Sequence, residues 1–580
     1  MKNIYSFLSC CIICIVLLGF RILPPDYKSK IPLRITTWDA LGYYMYLPGI
    51  FIYHDVTKLD WFFDIDSEYH LSGGTYYQIR KHKNGNYVFK YLGGVSILQS
   101  PFFFSGHWVA KHTKFEADGF SPPYQYAIAL SVLFYCILSI FLLRKILLNY
   151  FNDITSALTL LFLTLATNFV HYVVADCGLS HGFIFPLYVL VLYFTFKWHK
   201  SPGILWASLI GLVIGLATIS RPTEAIMLFI PLFWNTQTKE QSKIKWALVK
   251  KYKNHIFFTI LFGFIGILPQ LIYWKIASGS FIYDVGSKWD FLTPHLRVLF
   301  GWEKGWFIYT PITVFFIIGL FFTGKYPFKK SVIIFCLLNI YIIISWHKWR
   351  YGGSYSCRAL MQSYPVFALP FAAFIHHIKL KKWRFLFYAL GFYLVFVNLF
   401  QTRQVSKKIL HYDHMNRKYY GRIYLNPNPS PLDMSLLDTD EVLKKDILYK
   451  KEIIAVIDSS IVIKKSPDSS AFLINTNVKQ VVFNDIQLDS WIKVESKIQV
   501  SKGIWESYLN SYLQIGDSMK HNKIRLHSPI SKYGEINDYT YYVKIPENFK
   551  EGSFKIFISS SGIFEGVVEY LKITYLSKRI

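Results

Sequence analysis

An acidic side chain, Asp39, lies within the aromatic segment W-D-A-L-G-Y-Y-M-Y-L-P at residues 38–48. The segment begins about fifteen residues after the end of the first apolar run, 4–23. A carboxylate at a membrane surface is a candidate general base, which removes a proton from a nucleophile as it reacts. The alternative interpretation is a solvated loop carboxylate among interfacial Trp and Tyr side chains. Because Asp39 lies outside the bilayer in either case, we expect Asp39→Asn to leave stability almost unchanged.

Further ionisable residues lie on the same predicted outer face, close to the ends of predicted spans. Ionisable groups near membrane depth are costly, which favours functional roles for them. Arg350 and Arg358 bracket a Gly-Gly turn, and arginine holds phosphate through paired, charge-assisted hydrogen bonds. Each arginine taken singly could instead be a snorkelling anchor. The set comprises Lys90, Asp176, His181, Arg221, Glu303, Lys304, Arg350 and Arg358.

The composition indicates that membrane-spanning helices position these residues. Hydrophobic residues make up 53% of the chain and charged residues only 17%, against roughly 25% in soluble domains. A helix needs about 20 apolar residues to cross a bilayer, and the first 400 positions contain many such runs. We predict eleven spans near 4–23, 124–143, 154–173, 180–196, 203–219, 222–234, 256–274, 306–323, 331–346, 359–375 and 385–402.

Charge asymmetry orients these spans. The short segments on the N-terminal side hold eighteen Lys and Arg against two acids, whereas the outer loop 24–123 holds ten basic and nine acidic residues. Basic short loops stay in the cytoplasm, so the net charge of +27 needs no nucleic-acid partner. The sequence predicts a multi-pass protein of the inner or plasma membrane, with a cytoplasmic N-terminus and an extracytoplasmic tail. This assignment places segment 91–110 in the interface; if that segment crosses, the downstream topology inverts.

Domain boundaries follow from the change in pattern. We predict an anchor helix with a long outer loop at 1–123, a helical bundle at 124–402 and a linker at 403–445. At 446–580, short runs of period-two alternation predict an extracytoplasmic antiparallel β-sandwich. These runs are 461–463, 481–483, 498–500, 541–543, 554–557 and 571–573. The fold class is therefore mainly α, a polytopic transmembrane bundle with a C-terminal β-sandwich. Two outer cysteines, Cys177 and Cys357, leave open whether a disulfide forms.

The layout resembles the GT-C glycosyltransferases, multi-spanning enzymes that take sugar from a polyprenyl-phosphate carrier. Within them it is most similar to the protein O-mannosyltransferase and aminoarabinose-transferase branch. The resemblance covers residues 1 to about 420 and rests on the order and sidedness of short motifs. These are Asp39, Lys-Tyr-Leu-Gly-Gly at 90–94, Asp176, Arg-Pro-Thr at 221–223, Gly-Trp-Glu-Lys-Gly-Trp-Phe-Ile-Tyr-Thr-Pro at 301–311 and Trp-Arg-Tyr-Gly-Gly-Ser-Tyr at 349–355. In departures from the branch, Ala40 stands where a second acid is frequent, and 90–94 replaces a Pro-rich motif.

The resemblance implies transfer of a sugar from its lipid phosphate to an extracytoplasmic glycolipid, glycan or protein. Such a reaction needs a base for the acceptor and charge stabilisation for the departing phosphate. Asp39 is the implied base, and Asp176 would orient the acceptor or share that role. The implied phosphate-binding residues are Lys90, Lys304, Arg350 and Arg358, and the implied sugar- or acceptor-binding residues are Trp38, Tyr43, Tyr44, His181 and Arg221. No cofactor is assigned, and whether a divalent metal assists is left open.

Two other classes of function stay open at this stage. A transporter or flippase for the lipid-linked sugar would use its carboxylates for proton coupling. Secondary transporters often carry internal repeats and broken helices that meet at mid-bilayer, whereas the charged residues here cluster at one interface. A scaffold that presents the C-terminal sandwich is the third possibility. Covalent transfer in a reconstituted system favours the enzyme, and movement without chemistry favours the transporter.

Overall fold

The computed structural model describes most of the chain, which divides into two compact units, Met1–Thr402 and Arg403–Ile580. The first unit is mainly helical and the second is built on β-strands. The end of the first predicted span, at residue 23, lies outside the described residues. The described ranges are 3–22, 33–443, 446–465, 476–484, 486–504, 507–515, 518–527, 531–546, 551–560 and 563–578.

The first unit holds nineteen complete described α-helices, most of a twentieth, and one small hairpin. In chain order these are α1 (Ile4–Arg21), α2 (Trp38–Tyr44), α3 (Tyr46–Phe51), α4 (Asp60–Tyr69), β1 (Ile79–Lys81), β2 (Tyr87–Phe89), α5 (Gly94–Lys111), α6 (Pro122–Leu147), α7 (Asp153–Leu165), α8 (Phe169–Val174), α9 (Ser180–Lys200), α10 (Ile204–Thr218), α11 (Phe229–Phe233), α12 (Lys239–Lys251), α13 (Lys253–Ser278), α14 (Arg297–Phe300), α15 (Trp306–Tyr309), α16 (Val314–Gly319), α17 (Lys329–Ile344), α18 (Arg358–Met361), α19 (Tyr364–Ile378) and α20 (Arg384–Ser406). Short 3₁₀ helices lie at Pro222–Leu228, Pro311–Thr313 and Leu320–Phe322.

Five of the described helices are long and apolar enough to cross a membrane: α1, α6, α9, α13 and α20. This gives the unit the length and composition of a membrane protein. The predicted count of about eleven spans is not confirmed. The other predicted spans contain shorter or interrupted helices; 154–173, for example, divides into α7 and α8. Polar side chains account for that break, since Asn168 bonds to Tyr364 and to the backbone of the loop before α18.

Close helix contact holds part of the bundle together. Gly211 and Gly215 of α10 face Gly263 and Gly266 of α13, and a Cβ at Gly266 would lie 2.8 Å from the Leu212 carbonyl oxygen. Small residues at this spacing let two backbones approach closely, which is a frequent packing mode in membranes.

The outer loop is a folded layer on the bundle. Its hairpin, β1 and β2, is antiparallel, with Ile79 opposite Phe89. The Phe89 amide donates to the Tyr273 hydroxyl of α13 at 2.8 Å. At the start of α2, the Gln125 side chain of α6 accepts from the Ile35 amide at 3.0 Å. These contacts fix α2 and the hairpin against the bundle. Segment 91–110, predicted to lie in the interface, contains α5, which packs along α6.

The second unit contains two antiparallel sheets. The four-stranded sheet has the order β5-β10-β7-β8; in the other, β3-β11-β6-β9, strand β4 also pairs with β11. All six predicted runs fall in strands, and β3, β7 and β8 were not predicted. The strands are β3 (Tyr449–Ile457), β4 (Ile461–Lys465), β5 (Thr476–Asn484), β6 (Trp491–Lys502), β7 (Ser507–Ile515), β8 (Ser518–Arg525), β9 (Ile536–Lys544), β10 (Glu551–Ser560) and β11 (Phe564–Lys578).

Both sheets contribute to one hydrophobic core, which includes Ile492, Val494, Leu513 and Ile556. Two antiparallel sheets that share a core form a sandwich. The segment predicted as a linker, 403–445, carries α21 (Arg417–Ile423) and α22 (Pro431–Ser435). After α22, Asp438 forms a bidentate ion pair with Arg525 of β8.

Candidate functional site

Three hydrogen-bond donors converge on the carboxylate of Asp39, near the N-terminus of α2. The Tyr77 and Tyr91 hydroxyls both donate to Oδ1, at 2.7 and 2.6 Å. The Arg358 guanidinium donates to Oδ2 at 2.7 Å. The pair is largely shielded from water, since the side chains of Arg358 and Asp39 are 11% and 24% exposed.

The outer-loop hairpin brings the two tyrosines together. The register that sets Ile79 opposite Phe89 also sets Tyr77 opposite Tyr91, two residues beyond each strand. The Lys90 amide continues this pairing by donating to the Gln78 carbonyl at 2.9 Å. Cross-strand neighbours point to the same face of a hairpin, so both hydroxyls reach one oxygen of Asp39.

These partners fix the protonation of the cluster. Burial alone would raise the pKa of Asp39, but the charge of Arg358 and the hydrogen bonds from Tyr91 and Tyr77 outweigh it and hold that pKa well below its usual range. Burial and the Asp39 charge raise the pKa of Tyr91 and of Tyr77, so both stay protonated donors. In this state Asp39 is therefore an anion with a well-defined orientation.

Lys90 lies beside the same two tyrosines. Its Nζ is 4.8 Å from the ring centroid of Tyr77 and 5.3 Å from that of Tyr91, within cation–π range. Partial burial lowers the pKa of Lys90, and the positive charges of Lys348 and Arg80 act in the same direction. A concentration of positive charge beside Asp39 is suited to an anionic ligand.

Arg358 begins α18 after a loop, 350–358, whose backbone is held at several points. The Tyr172 hydroxyl donates to the Tyr355 carbonyl at 2.9 Å and accepts from the Tyr355 amide at 3.0 Å. The Lys304 ammonium donates to the Arg350 carbonyl at 2.9 Å and to the Gly352 carbonyl. Gly352 has a φ of 65°, which glycine adopts without strain. The loop therefore has a defined position from which to present Arg358.

This loop retains buried donors that are not used within the described residues. Arg358 Nε, Ser354 Oγ and Ser356 Oγ have no hydrogen-bond partner there. The three residues are only 9%, 4% and 2% exposed. Buried polar atoms are nearly always paired in proteins, so an unpaired group calls for a specific explanation such as a ligand.

Asp176 lies between α8 and α9 and pairs with the His171 Nε2 atom at 3.0 Å. Burial by itself would raise the pKa of Asp176, but the His171 imidazole and the charge of Arg358 together outweigh it and lower that pKa. The two carboxylates, Asp39 and Asp176, therefore share the field of one guanidinium group.

A second polar network lies next to this cluster, on α9 and the segment after α10. His181 Nδ1 lies 2.9 Å from the Gln362 side-chain oxygen and 3.2 Å from an Arg221 nitrogen. Gln362 in turn donates to the buried carboxylate of Glu224 at 2.5 Å. Tyr188 and Thr223 also donate to Glu224, so the carboxylate is fully paired inside the bundle.

Several predicted site residues are engaged elsewhere. Arg350 pairs with Glu303 at 2.9 Å and its side chain is 54% exposed. Lys304 binds backbone carbonyls, as described above, and Tyr44 donates to the Gly119 carbonyl within an aromatic core. None of the three has a described contact with Asp39.

Two aromatic residues flank the site. Tyr43 is buried, and its ring centroid lies 4.7 Å from that of Tyr91. Trp38 is 52% exposed, has a left-handed backbone with a φ of 52°, and lies against Gly73. A positive φ is uncommon for a bulky residue and is strained. The exposed Trp38 ring next to Asp39 is a flat surface on which a sugar could stack.

Cys177 and Cys357 are free and buried. The Arg21 guanidinium donates to Cys177 Sγ at 2.9 Å. Among the described residues, no group of three or more His, Cys, Asp or Glu side chains is arranged to hold a metal ion.

Sequence reasoning named Asp39, Lys90, Asp176 and Arg358, which the fold brings together. It missed Tyr77 and Tyr91, together with the four polar residues Glu224, Gln362, Ser354 and Ser356. The turn at 83–85, which contains Asn84-Gly85, was a usable signal, because pairing outward from a three-residue loop there sets residue 77 opposite residue 91. Asp39, an anion of fixed orientation, can accept a proton. Arg358, whose Nε has no partner among the described residues, can bind a second anion.

No family model matches the chain, and no curated protein matches it in sequence. Among solved structures, it is similar to the crystal structure of the Archaeoglobus fulgidus oligosaccharyltransferase in the apo form, with a TM-score of 0.43 and 11% identity. The match covers 73% of this chain and 58% of that chain, so this chain spans less than two thirds of that protein's length. A likeness at this level bears on neither the site nor the activity.

Proposed function

We propose that this protein is a membrane glycosyltransferase of the GT-C type, which moves a sugar from a polyprenyl-phosphate carrier to an extracytoplasmic glycolipid, glycan or protein. The observation that carries the proposal is the Asp39–Arg358 pair, joined at 2.7 Å in the folded outer layer of a helical unit with five candidate spans. One group of the pair can receive the acceptor's proton, and the other can bind the donor's phosphate.

The chemical step is a single displacement at the anomeric carbon of the donor sugar. Asp39 takes the proton from the acceptor's hydroxyl or amide group, the acceptor atom bonds to the anomeric carbon, and the bond from that carbon to the phosphate oxygen breaks. The electron pair leaves with the polyprenyl phosphate, so the anomeric centre inverts. General base catalysis of this kind contributes a factor of about 10² to 10⁴. Asp176 would orient the acceptor.

Arg358 supports both halves of this step. Its Nε and the hydroxyls of Ser354 and Ser356 are unpaired within the described residues, which suits them to phosphate oxygens. When a phosphate shares the guanidinium charge, Asp39 loses part of the stabilisation that keeps its pKa low, and its basicity increases. Binding of the polyprenyl-phosphate sugar would thereby make Asp39 a stronger base. Lys90, beside Tyr77 and Tyr91, adds further positive charge.

The proposal also assigns the orientation of the protein in the membrane and the residues that contact sugar or acceptor. The protein is a multi-pass protein of the inner or plasma membrane, with its N-terminus in the cytoplasm and the site and β-sandwich outside. The charge asymmetry of the short loops supports this orientation. Trp38, Tyr43, His181 and Arg221 are proposed to contact sugar or acceptor.

The test is transfer by the purified full-length protein in liposomes, with radiolabelled polyprenyl-phosphate sugars and envelope glycolipid extract as acceptor. Covalent transfer that is lost in Asp39→Asn and kept in Asp64→Asn supports the proposal; Asp64 is an exposed carboxylate on α4 in the same loop. Movement of the donor across the bilayer without a new covalent product overturns it in favour of a transporter.

Mass spectrometry of envelope glycans and glycolipids from cells with and without the gene gives the natural product. A sugar that disappears with the gene identifies donor and acceptor together. An unchanged envelope, combined with no transfer in liposomes, contradicts the proposal.

A further inference from the structure

A glycine, Gly42, lies in the middle of the seven-residue helix α2. Glycine is a poor helix former compared with alanine, so its presence inside a helix needs a reason. The space around it supplies one, because the Tyr91 ring lies directly against it. A Cβ at residue 42 would lie 2.8 Å from Tyr91 Cε2 and closer still to Cδ2, distances that real Cβ atoms do not show.

This contact has a consequence for Asp39, three residues earlier on α2. The Tyr91 ring packs against α2 at residue 42, and its hydroxyl donates to Asp39 Oδ1 at 2.6 Å. The ring also meets Tyr43, with centroids 4.7 Å apart. The ring therefore cannot move away from residue 42 without disturbing its neighbours or giving up that hydrogen bond.

We infer that Gly42 and Tyr91 are positioning residues for Asp39: the missing side chain at residue 42 admits the Tyr91 ring, whose hydroxyl then fixes the orientation of the carboxylate. The inference rests on the proposed function, in which Asp39 is the base. A base displaced by about 1 Å can lose a factor of about 10² in rate. Neither residue needs to touch the substrate.

The test is a double-mutant cycle on kcat in the liposome transfer assay. Tyr91→Phe should lower kcat about ten-fold or more and leave the donor KM unchanged, because Arg358 stays in place. Gly42→Ala should lower kcat to a similar degree by displacing the ring. In a Tyr91→Phe background, Gly42→Ala should cause little further loss of kcat, since no hydroxyl remains to be displaced.

Stability separates this role from a merely structural one. Because phenylalanine keeps the ring, Gly42→Ala should lower the thermal unfolding midpoint in both backgrounds while lowering kcat in only one. Tyr77→Phe is the matched control, since the atoms nearest to a Cβ at residue 42 belong to Tyr91. In the Tyr77→Phe background, Gly42→Ala should still lower kcat. Gly324→Ala controls for the substitution itself, because nothing lies within 4 Å of its Cβ.

Two results overturn the inference. One is a normal kcat in Tyr91→Phe, and the other is an equal loss from Gly42→Ala with and without the Tyr91 hydroxyl. Absence of any transfer by the unaltered protein is a different outcome, which contradicts the proposed function.

Discussion

Replacing Asp39 with asparagine should destabilise the protein as well as inactivate it. The sequence alone predicted almost no effect on stability, because Asp39 lies outside the bilayer. The fold changes that expectation, since the nearly isosteric amide leaves the buried Arg358 guanidinium, with only 11% of its side chain exposed, without a counter-charge.

The magnitude follows from the pair's geometry and shielding. Two unit charges about 4 Å apart attract each other by about 4 kcal/mol at an effective dielectric constant of about 20. Removing one partner of a buried pair typically lowers stability by about 3–5 kcal/mol. Because the amide still accepts from Tyr77 and Tyr91, we expect about 3 kcal/mol for Asp39→Asn, and a similar loss for Arg358→Gln, which leaves the carboxylate unpaired.

The double variant, Asp39→Asn with Arg358→Gln, separates the ion pair from the chemistry. With no charge left unpaired, we expect the double variant to be more stable than the sum of the single losses predicts, by about 2–3 kcal/mol. Transfer activity should stay at least about 10² lower in all three variants, because each lacks the base, the phosphate anchor or both.

The assay is reversible unfolding of the purified protein in detergent, followed in parallel with transfer in liposomes. Strictly additive losses of stability would show that the two side chains do not pair in the folded protein. Recovery of activity in the double variant would remove both residues from the proposed mechanism.

Three further predictions concern the arginines, the pH profile and the membrane orientation. Arg358→Lys should raise the donor KM about ten-fold or more through loss of the planar fork, whereas Arg350→Lys should have little effect, and equal kinetics in the two variants would contradict the phosphate role. Because the pKa of Asp39 is held below its ordinary value of about 3.8, its charge and the stability of its ion pair are fully present above that pH and are lost only in stronger acid. The kcat/KM profile should therefore show no acid limb from Asp39 above about pH 4, and one near pH 6, traced to Asp39 by substitution, would refute this. Single cysteines that replace exposed residues should label with an impermeant reagent from outside at Ser67, Lys114 and Ser459 but not at Lys243. Protection at Lys114 and Ser459, together with labelling at Lys243, would mean that segment 91–110 crosses the membrane and that the downstream topology is inverted.

The spans show the limit of hydropathy as a guide to helices. Apolar content is a local property of the sequence, and it located the five long helices. Where an apolar run is interrupted depends on tertiary contacts. Asn168 lies inside one predicted span, and its partners, Tyr364 and the backbone at Tyr355, are nearly 200 residues away in the chain.

The strands show a similar division. Six of the nine described strands of the second unit carry clear apolar runs, and their apolar faces pack in or against the shared core. Strand β8, S-M-K-H-N-K-I-R, was not predicted, since most of its side chains are polar. It forms as a strand because β7 supplies its hydrogen bonds, a pairing that no local pattern encodes.

By itself, the sequence determined the class of molecule and the chemical types at the site. Apolar runs, basic short loops and period-two alternation each involve residues close together in the chain, so a short stretch of sequence is enough to recognise them. Asp39 and Arg358 also stood out by type. That they pair could be decided only by the fold, because 319 residues separate them and no spacing rule connects them. The same reason applies to Gly42 and Tyr91. The need for glycine at residue 42 follows only from the fold, which places the Tyr91 ring where a side chain at that residue would lie.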